Sequence, residues 1–294
     1  MQISVNGLSL EVEDHGPAAG EPLLLIMGLG MQLVAWPDGF VRGLVERGFR
    51  VIRFDNRDIG LSQHFDHLGA PHLALAGMRY ALHLTVPAPY GLSDLADDAA
   101  ALIAALGLAS AHVCGASMGG MVAQHLAARQ PQRVRSLTLM MSTSGSRRLP
   151  QPGWRIRQAL LTRPEHPTQV DSVVAHAMRI YRLIGSPGYP ADPIELRAQL
   201  ERAIRRSYRP ASVARQVAAI MADGDRSVLL PRIAAPTQVI HGRADPLVPV
   251  AAGHDLARRI PGARLDEIDG MGHDLPAPLW PRFIEGIEAA ARRS

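Results

Sequence analysis

The pentapeptide Gly115-Ala116-Ser117-Met118-Gly119 follows the apolar run Ala111 to Cys114 and precedes a helix-like stretch from Met118 to Arg129. G-x-S-x-G on a sharp strand-to-helix turn holds its serine in a strained conformation, and the glycines let strand and helix close upon it. That context makes Ser117 the expected nucleophile, although the bare pentapeptide also arises where small residues end a strand. A serine hydroxyl is a poor nucleophile at neutral pH, so it needs a base and a group to orient that base. His273 stands in Gly270-Met271-Gly272-His273-Asp274-Leu275-Pro276, and Asp245 in His241-Gly242-Arg243-Ala244-Asp245-Pro246-Leu247-Val248-Pro249. Both segments come just after β-like runs, at the strand ends where an open α/β sheet gathers its ligands. The chemistry this set supports is acyl transfer.

Other polar residues carry less. His241 reads as a strand-end packing residue and His254 as a helix-surface residue. Asp55, Arg57 and Asp58 read as a structural ion-pair turn near the site entrance. Asp225 and Asp255 match Asp245 in type, but neither follows a strand so closely. The twelve histidines show no H-E-x-x-H or comparable spacing, so no metal is expected. Gly28 with Gly30 is not a dinucleotide loop, because no third glycine and no acid follow at the required distances.

The elements that must position these residues can be read from periodicity. Asn6-Gly7 separates two alternating runs, Ile3 with Val5 and Leu8 with Leu10 and Val12, and so predicts a hairpin. Short apolar runs then recur at Leu23 to Met27, Arg50 to Phe54, Ala111 to Cys114, Ser136 to Met141, Thr237 to His241 and Arg264 to Ile268. Unbroken apolar runs are what strands covered on both faces of a parallel sheet require. Helical stretches alternate with them, one capped by Ser93 and closed by Gly107, and a last one starts near Leu279. The βαβα order predicts a doubly wound α/β sheet. Between about Gly145 and Pro231 no strand is legible and several helices are, one of them capped by Thr168 with Asp171 in its first turn. Residues 1–144 and 232–294 are therefore expected to form the core, with 145–231 a helical cap insertion.

Composition sets the outer bounds. At 47% apolar and 20% charged, the chain is too apolar to be disordered. No apolar run approaches a membrane span, and Met1 to Gly7 has neither the basic nor the apolar region of a secretion signal. A cytoplasmic protein with no membrane partner is expected. The single cysteine, Cys114, excludes an internal disulfide. All 31 basic residues are arginines, interspersed with 27 acids for a net charge of +4, so nucleic acid is not an expected partner.

The order Ser117, Asp245, His273 is the chain order of the α/β-hydrolase triad, and over essentially its whole length the chain resembles that family. Met27-Gly28-Leu29-Gly30 with Trp36-Pro37-Asp38, and Phe54 through Ser62, are similar to the subgroup that includes aclacinomycin methylesterase-like hydrolases. The resemblance implies a mostly parallel sheet of about eight strands carrying an inserted helical cap. It implies that Ser117 attacks an acyl carbonyl, that His273 acts as base and then acid, and that Asp245 holds the imidazole. The oxyanion donors would be the backbone N–H groups of Met118 and Leu29. Met27 stands where the family often has histidine, which bears on loop shape more than on a backbone donor. The expected activity is carboxylic ester hydrolysis without a cofactor, on a small-molecule ester contacting Trp36, Trp154 and Tyr181, by a monomer or homodimer. Thioesterase, lactonase, carbon–carbon hydrolase and cofactor-free haloperoxidase or perhydrolase chemistry use the same triad. A ligand receptor on the same fold is the alternative from another class.

Overall fold

The computed structural model describes residues 1–294. The Asn6-Gly7 turn folds β1 (Gln2–Val5) back onto β2 (Leu8–His15), and β2 runs antiparallel to β4 (Phe49–Phe54). From β4 the sheet is parallel through β3 (Glu21–Ile26), β5 (Ala111–Ala116), β6 (Val134–Met140), β7 (Thr237–Gly242) and β8 (Arg264–Ile268). The eight strands lie in the order β1-β2-β4-β3-β5-β6-β7-β8.

Helices cover both faces. In β3, Leu24 and Ile26 join a core completed by α3 (Leu92–Ala105), α4 (Met118–Arg129) and α9 (Ala251–Arg259). Leu23 and Leu25 join a second core beneath α1 (Asp38–Glu46) and α10 (Trp280–Ala291). All four leucine and isoleucine side chains are fully buried, each contributing about 1.5–3 kcal/mol of transfer free energy. Two dry faces explain why the strands read as continuous apolar runs. No helix is long and apolar enough to cross a membrane.

Between β6 and β7 the chain runs through α5 (Trp154–Leu161), α6 (Val170–Ile184), α7 (Pro193–Arg206) and α8 (Pro210–Asp223). A further helix, α2 (Leu73–Ala81), precedes α3 and was not legible from periodicity. Two helix starts differ from the sequence reading. Gly91, not Ser93, caps α3, because the Asp94 carboxylate reaches back to accept the Gly91 N–H at 2.7 Å. Gln169, not Thr168, precedes α6 and makes no side-chain cap; Asp171 pairs with Arg197 of α7 at 2.5 Å instead of closing a capping box.

The charges of the Asp55-Arg57-Asp58 turn pair with other elements and not with each other. Asp55 takes Arg206 at 2.6 Å, Arg57 takes Asp98 at 2.6 Å, and Asp58 takes Nε and Nη2 of Arg215 at 2.6 and 2.8 Å. Asp58 also accepts from Tyr90, Ser212 and the Phe65 N–H. Burial pushes the Asp58 carboxyl up, but Arg215 and these donors outweigh it and leave its pKa below the ordinary value. The contribution of the pair is therefore present above the ordinary carboxyl pKa of 3.8 and is lost as pH falls through the lower folded value. Replacing Arg215 with methionine strands a buried carboxylate and is expected to cost about 3–5 kcal/mol. A urea midpoint that moves at constant slope would measure this, and an unchanged midpoint would show that the pair does not hold the turn to α8.

Candidate active site

Ser117 occupies the turn between β5 and α4 at φ 53° and ψ −118°, a strained conformation for a residue with a side chain. The turn is held on both sides: the Ser117 N–H donates to the Met140 carbonyl at 2.9 Å, and Ser142 Oγ donates to the Ser117 carbonyl at 2.8 Å. Gly119 is needed because a Cβ there would lie 2.0 Å from the Ile26 carbonyl oxygen, closer than any backbone can tolerate. This crossing of α4 against β3 is what lifts the serine hydroxyl above the strand ends.

The three residues singled out for chemistry meet there. Ser117 Oγ lies 3.0 Å from His273 Nε2, and His273 Nδ1 lies 2.7 Å from Asp245 Oδ2. The Asp245 carboxylate can only accept, so Nδ1 carries the proton and Nε2 is left as an acceptor for the Ser117 hydroxyl. Asp245 is buried, and its other oxygen accepts the N–H groups of Leu247 and Val248 at 2.9 and 2.8 Å. The His273 N–H donates to the Ile184 carbonyl at the end of α6, at 2.7 Å. The geometry can take a proton from the serine and hold the resulting imidazolium.

The two residues expected to supply oxyanion donors line the same space. Met118 is the first residue of α4, where an N–H has no acceptor within the helix. The Leu29 N–H makes no hydrogen bond within the chain. Leu29, Met118, Ser117 and His273 all line one cavity of about 740 Å³, whose remaining wall is largely apolar and includes Met121, Leu196 and Trp280. A second hollow, about 640 Å³ and charged, lies at the amino ends of β3 and β5 beside Glu21 and His112 and contains none of these residues.

Of the three aromatic residues expected to touch substrate, only Tyr181 lines the cavity. Trp36 is fully buried and stacks on Phe40 at 5.8 Å in the core under α1, while its neighbours Ala35 and Pro37 reach the cavity. Trp154 is 64% exposed at the start of α5, beside Arg155. Neither indole is in a position to contact a ligand at Ser117. His241 Nε2 donates to the Val248 carbonyl at 2.8 Å and so shapes the Asp245 loop; burial pushes its pKa down and keeps it neutral. His254 is exposed beside Glu267. Asp255 is tied to Ser144, Arg258 and Arg259, and Asp225 to the Ser227 N–H, so neither approaches His273.

Sequence reasoning assigned no role to Asp274, which lines the cavity next to His273. Its carboxylate accepts the Ser186 hydroxyl and N–H, and Ser186 Oγ in turn accepts the Gly272 N–H at 2.8 Å. Burial pushes the Asp274 carboxyl above its ordinary range despite these donors. The adjacency of Asp274 to His273 was the one signal available in the sequence; Ser186 gave none.

Comparison with known proteins places the chain among hydrolases. Residues 21–179 match the family profile described as alpha/beta hydrolase fold. Rhodomycin D methylesterase DnrP of Streptomyces peucetius is 32% identical over 99% of this chain and 97% of its own. Rhodomycin D methylesterase DauP of Streptomyces sp. strain C5 is 31% identical over the same shares. Among solved structures, the enol-lactonase of Burkholderia xenovorans LB400 superposes with a TM-score of 0.74 at 24% identity, over 99% of this chain and 100% of its own.

Proposed function

Because the chain belongs to the α/β-hydrolase family and is a serine hydrolase of carboxylic esters, we propose that Ser117, His273 and Asp245 form its catalytic triad and that it removes the methyl group from the ester of a bulky, largely apolar acid. The observation that carries the triad is the unbroken hydrogen-bonded line from Asp245 through His273 to Ser117 at the wall of the apolar cavity. Support for a methyl ester comes from the two full-length methylesterase relatives. A cavity of about 740 Å³ is of the size that encloses a drug-sized ligand, which supports a large acyl part.

In this reading Ser117 Oγ attacks the ester carbonyl as its proton passes to His273 Nε2. The oxygen that gains the negative charge accepts the N–H groups of Leu29 and Met118, donors that each contribute about 2.7–4 kcal/mol at such sites. Collapse of the tetrahedral intermediate breaks the carbon–oxygen bond, and His273 returns its proton to the departing methanol. Water then repeats the sequence on the acyl-serine, releasing the acid and regenerating Ser117. Asp245 stays ionised throughout and stabilises the imidazolium. Residues 145–231 act as a cap over the acyl group, Tyr181 and Tyr189 being its aromatic contacts. A cytoplasmic location fits the lone buried free thiol of Cys114, and the enzyme is proposed to be a monomer or homodimer.

The test is a matrix of esters: methyl, ethyl and butyl esters of a polycyclic aromatic acid and of acetic acid, with a thioester and a lactone alongside. The expected result is a kcat/KM highest for the bulky methyl ester, falling on the order of 10-fold or more when the alcohol is lengthened. Preference for the acetates, the thioester or the lactone would overturn the proposed substrate class.

A further inference from the structure

The loop that carries the Leu29 N–H has little internal support. One hydrogen bond closes it, from the Met31 N–H to the Gly28 carbonyl at 3.2 Å, so Leu29 and Gly30 are the two central residues of a β-turn. Gly30 lies at φ 68°, the left-handed value that a type II turn requires at that position. A Cβ there would meet Val213 of α8 at 3.1 Å.

The side chain that fixes this turn in place, one peptide beyond the Leu29 N–H, is Gln216, a fully buried residue of α8 whose Oε1 accepts the Gly30 N–H at 2.9 Å. Other ties to this loop fall on either side of the turn. Asn56 Nδ2 donates to the Met27 carbonyl at 3.0 Å, and Gln32 Nε2 donates to the carbonyls of Ala203 and Ser207 at 2.6 and 2.8 Å. Arg206 completes the set by donating to Gln32 Oε1 at 2.7 Å. The side-chain bond to the turn itself therefore comes from the inserted helices, across 186 residues of chain.

We propose that Gln216 is a positioning residue for ester hydrolysis: by accepting the Gly30 N–H it holds the turn so that the Leu29 N–H meets the oxyanion, and it couples the seating of α8 to the rate of acyl transfer. The inference rests on the assignment of Leu29 as an oxyanion donor. Gln216 grips the turn and not the substrate, so its loss weakens binding of the charged transition state and leaves ground-state binding intact.

Gln216→Met removes the acceptor at nearly constant volume. Its kcat is expected to fall on the order of 10-fold to 100-fold, with KM within about twofold of the parent. The inhibition constant of a trifluoromethyl ketone, which forms a tetrahedral oxyanion on the serine, should rise by the same factor as kcat falls, while affinity for the acid product stays unchanged. Gln216→Glu keeps an acceptor at the same reach and should recover most of kcat. If Gln216→Met does not fold, Gln216→Asn, one methylene too short for Gly30, replaces it in the comparison with Gln216→Glu. An unchanged kcat and ketone affinity would overturn the proposal, as would equal losses of ketone and product affinity, which would mark a collapsed cavity. Failure of the underlying assignments is read separately, as turnover retained by Ser117→Ala for the nucleophile and as unchanged ketone affinity in Leu29→Pro, which lacks the N–H at a turn position that suits proline, for the donor.

Discussion

Ser117→Ala is expected to lower kcat about 10⁶-fold while KM and thermal stability stay near those of the parent. The loss corresponds to about 8 kcal/mol of transition-state stabilisation. It arises because no acyl-enzyme can form without the Oγ that lies 3.0 Å from His273 Nε2. The fold should tolerate the change, since the turn is held by the backbone contact to Met140, by Ser142 and by the close passage of Gly119, not by the serine side chain. Some turnover above the rate in water should remain, because the proposed oxyanion donors and the cavity survive. Steady-state hydrolysis of p-nitrophenyl esters gives the rate, and a serine-directed phosphonate with mass spectrometry shows whether one adduct forms and where. An adduct on Ser117 in the parent and none in the variant is the expected pair of results. Turnover in the variant within about tenfold of the parent would place the nucleophile elsewhere.

How far the sequence revealed this site depended on how local each signal was. The strands β3 and β5 were legible because burial on two faces leaves an unbroken apolar run, and Ser117 because its neighbours are dictated by one tight crossing. His273 and Asp245 were legible because each follows its strand directly. Trp36 and Trp154 were not: an indole next to a site motif looks the same whether it turns into the core, as Trp36 does, or into solvent, as Trp154 does. The partners of Asp55 and Asp58 were equally hidden. Arg206 and Arg215 lie more than 150 residues further along the chain, and periodicity reports a helix face without its neighbour. The same holds for Gln216, whose hydrogen bond with Gly30 leaves no trace in local composition. The cap of α3 was missed for a smaller reason, since the carboxylate of Asp94 reaches back to the Gly91 N–H and starts the helix two residues before Ser93.

Asp245→Asn should lower kcat by about 10⁴-fold, and the structure explains why so small a change acts so strongly. Asp245 Oδ1 accepts two backbone N–H groups, from Leu247 and Val248, while Oδ2 faces His273 Nδ1. An asparagine must keep its carbonyl oxygen on the Leu247 side to satisfy those donors, so its NH₂ group is turned toward His273. Two donors cannot share one bond, and the imidazole escapes only by carrying its proton on Nε2. That nitrogen then faces Ser117 as a donor and can no longer accept the hydroxyl proton. The loop is unaffected, because its two backbone bonds and the His241 bond to Val248 persist, so the melting temperature should change little. Kinetics measured with the phosphonate labelling rate should fall together, and the imidazole nitrogen resonances of His273 should report the exchanged tautomer. Loss of less than about tenfold would mean that another carboxylate orients His273, and Asp274, next in sequence and itself at the cavity wall, would be the group to replace next.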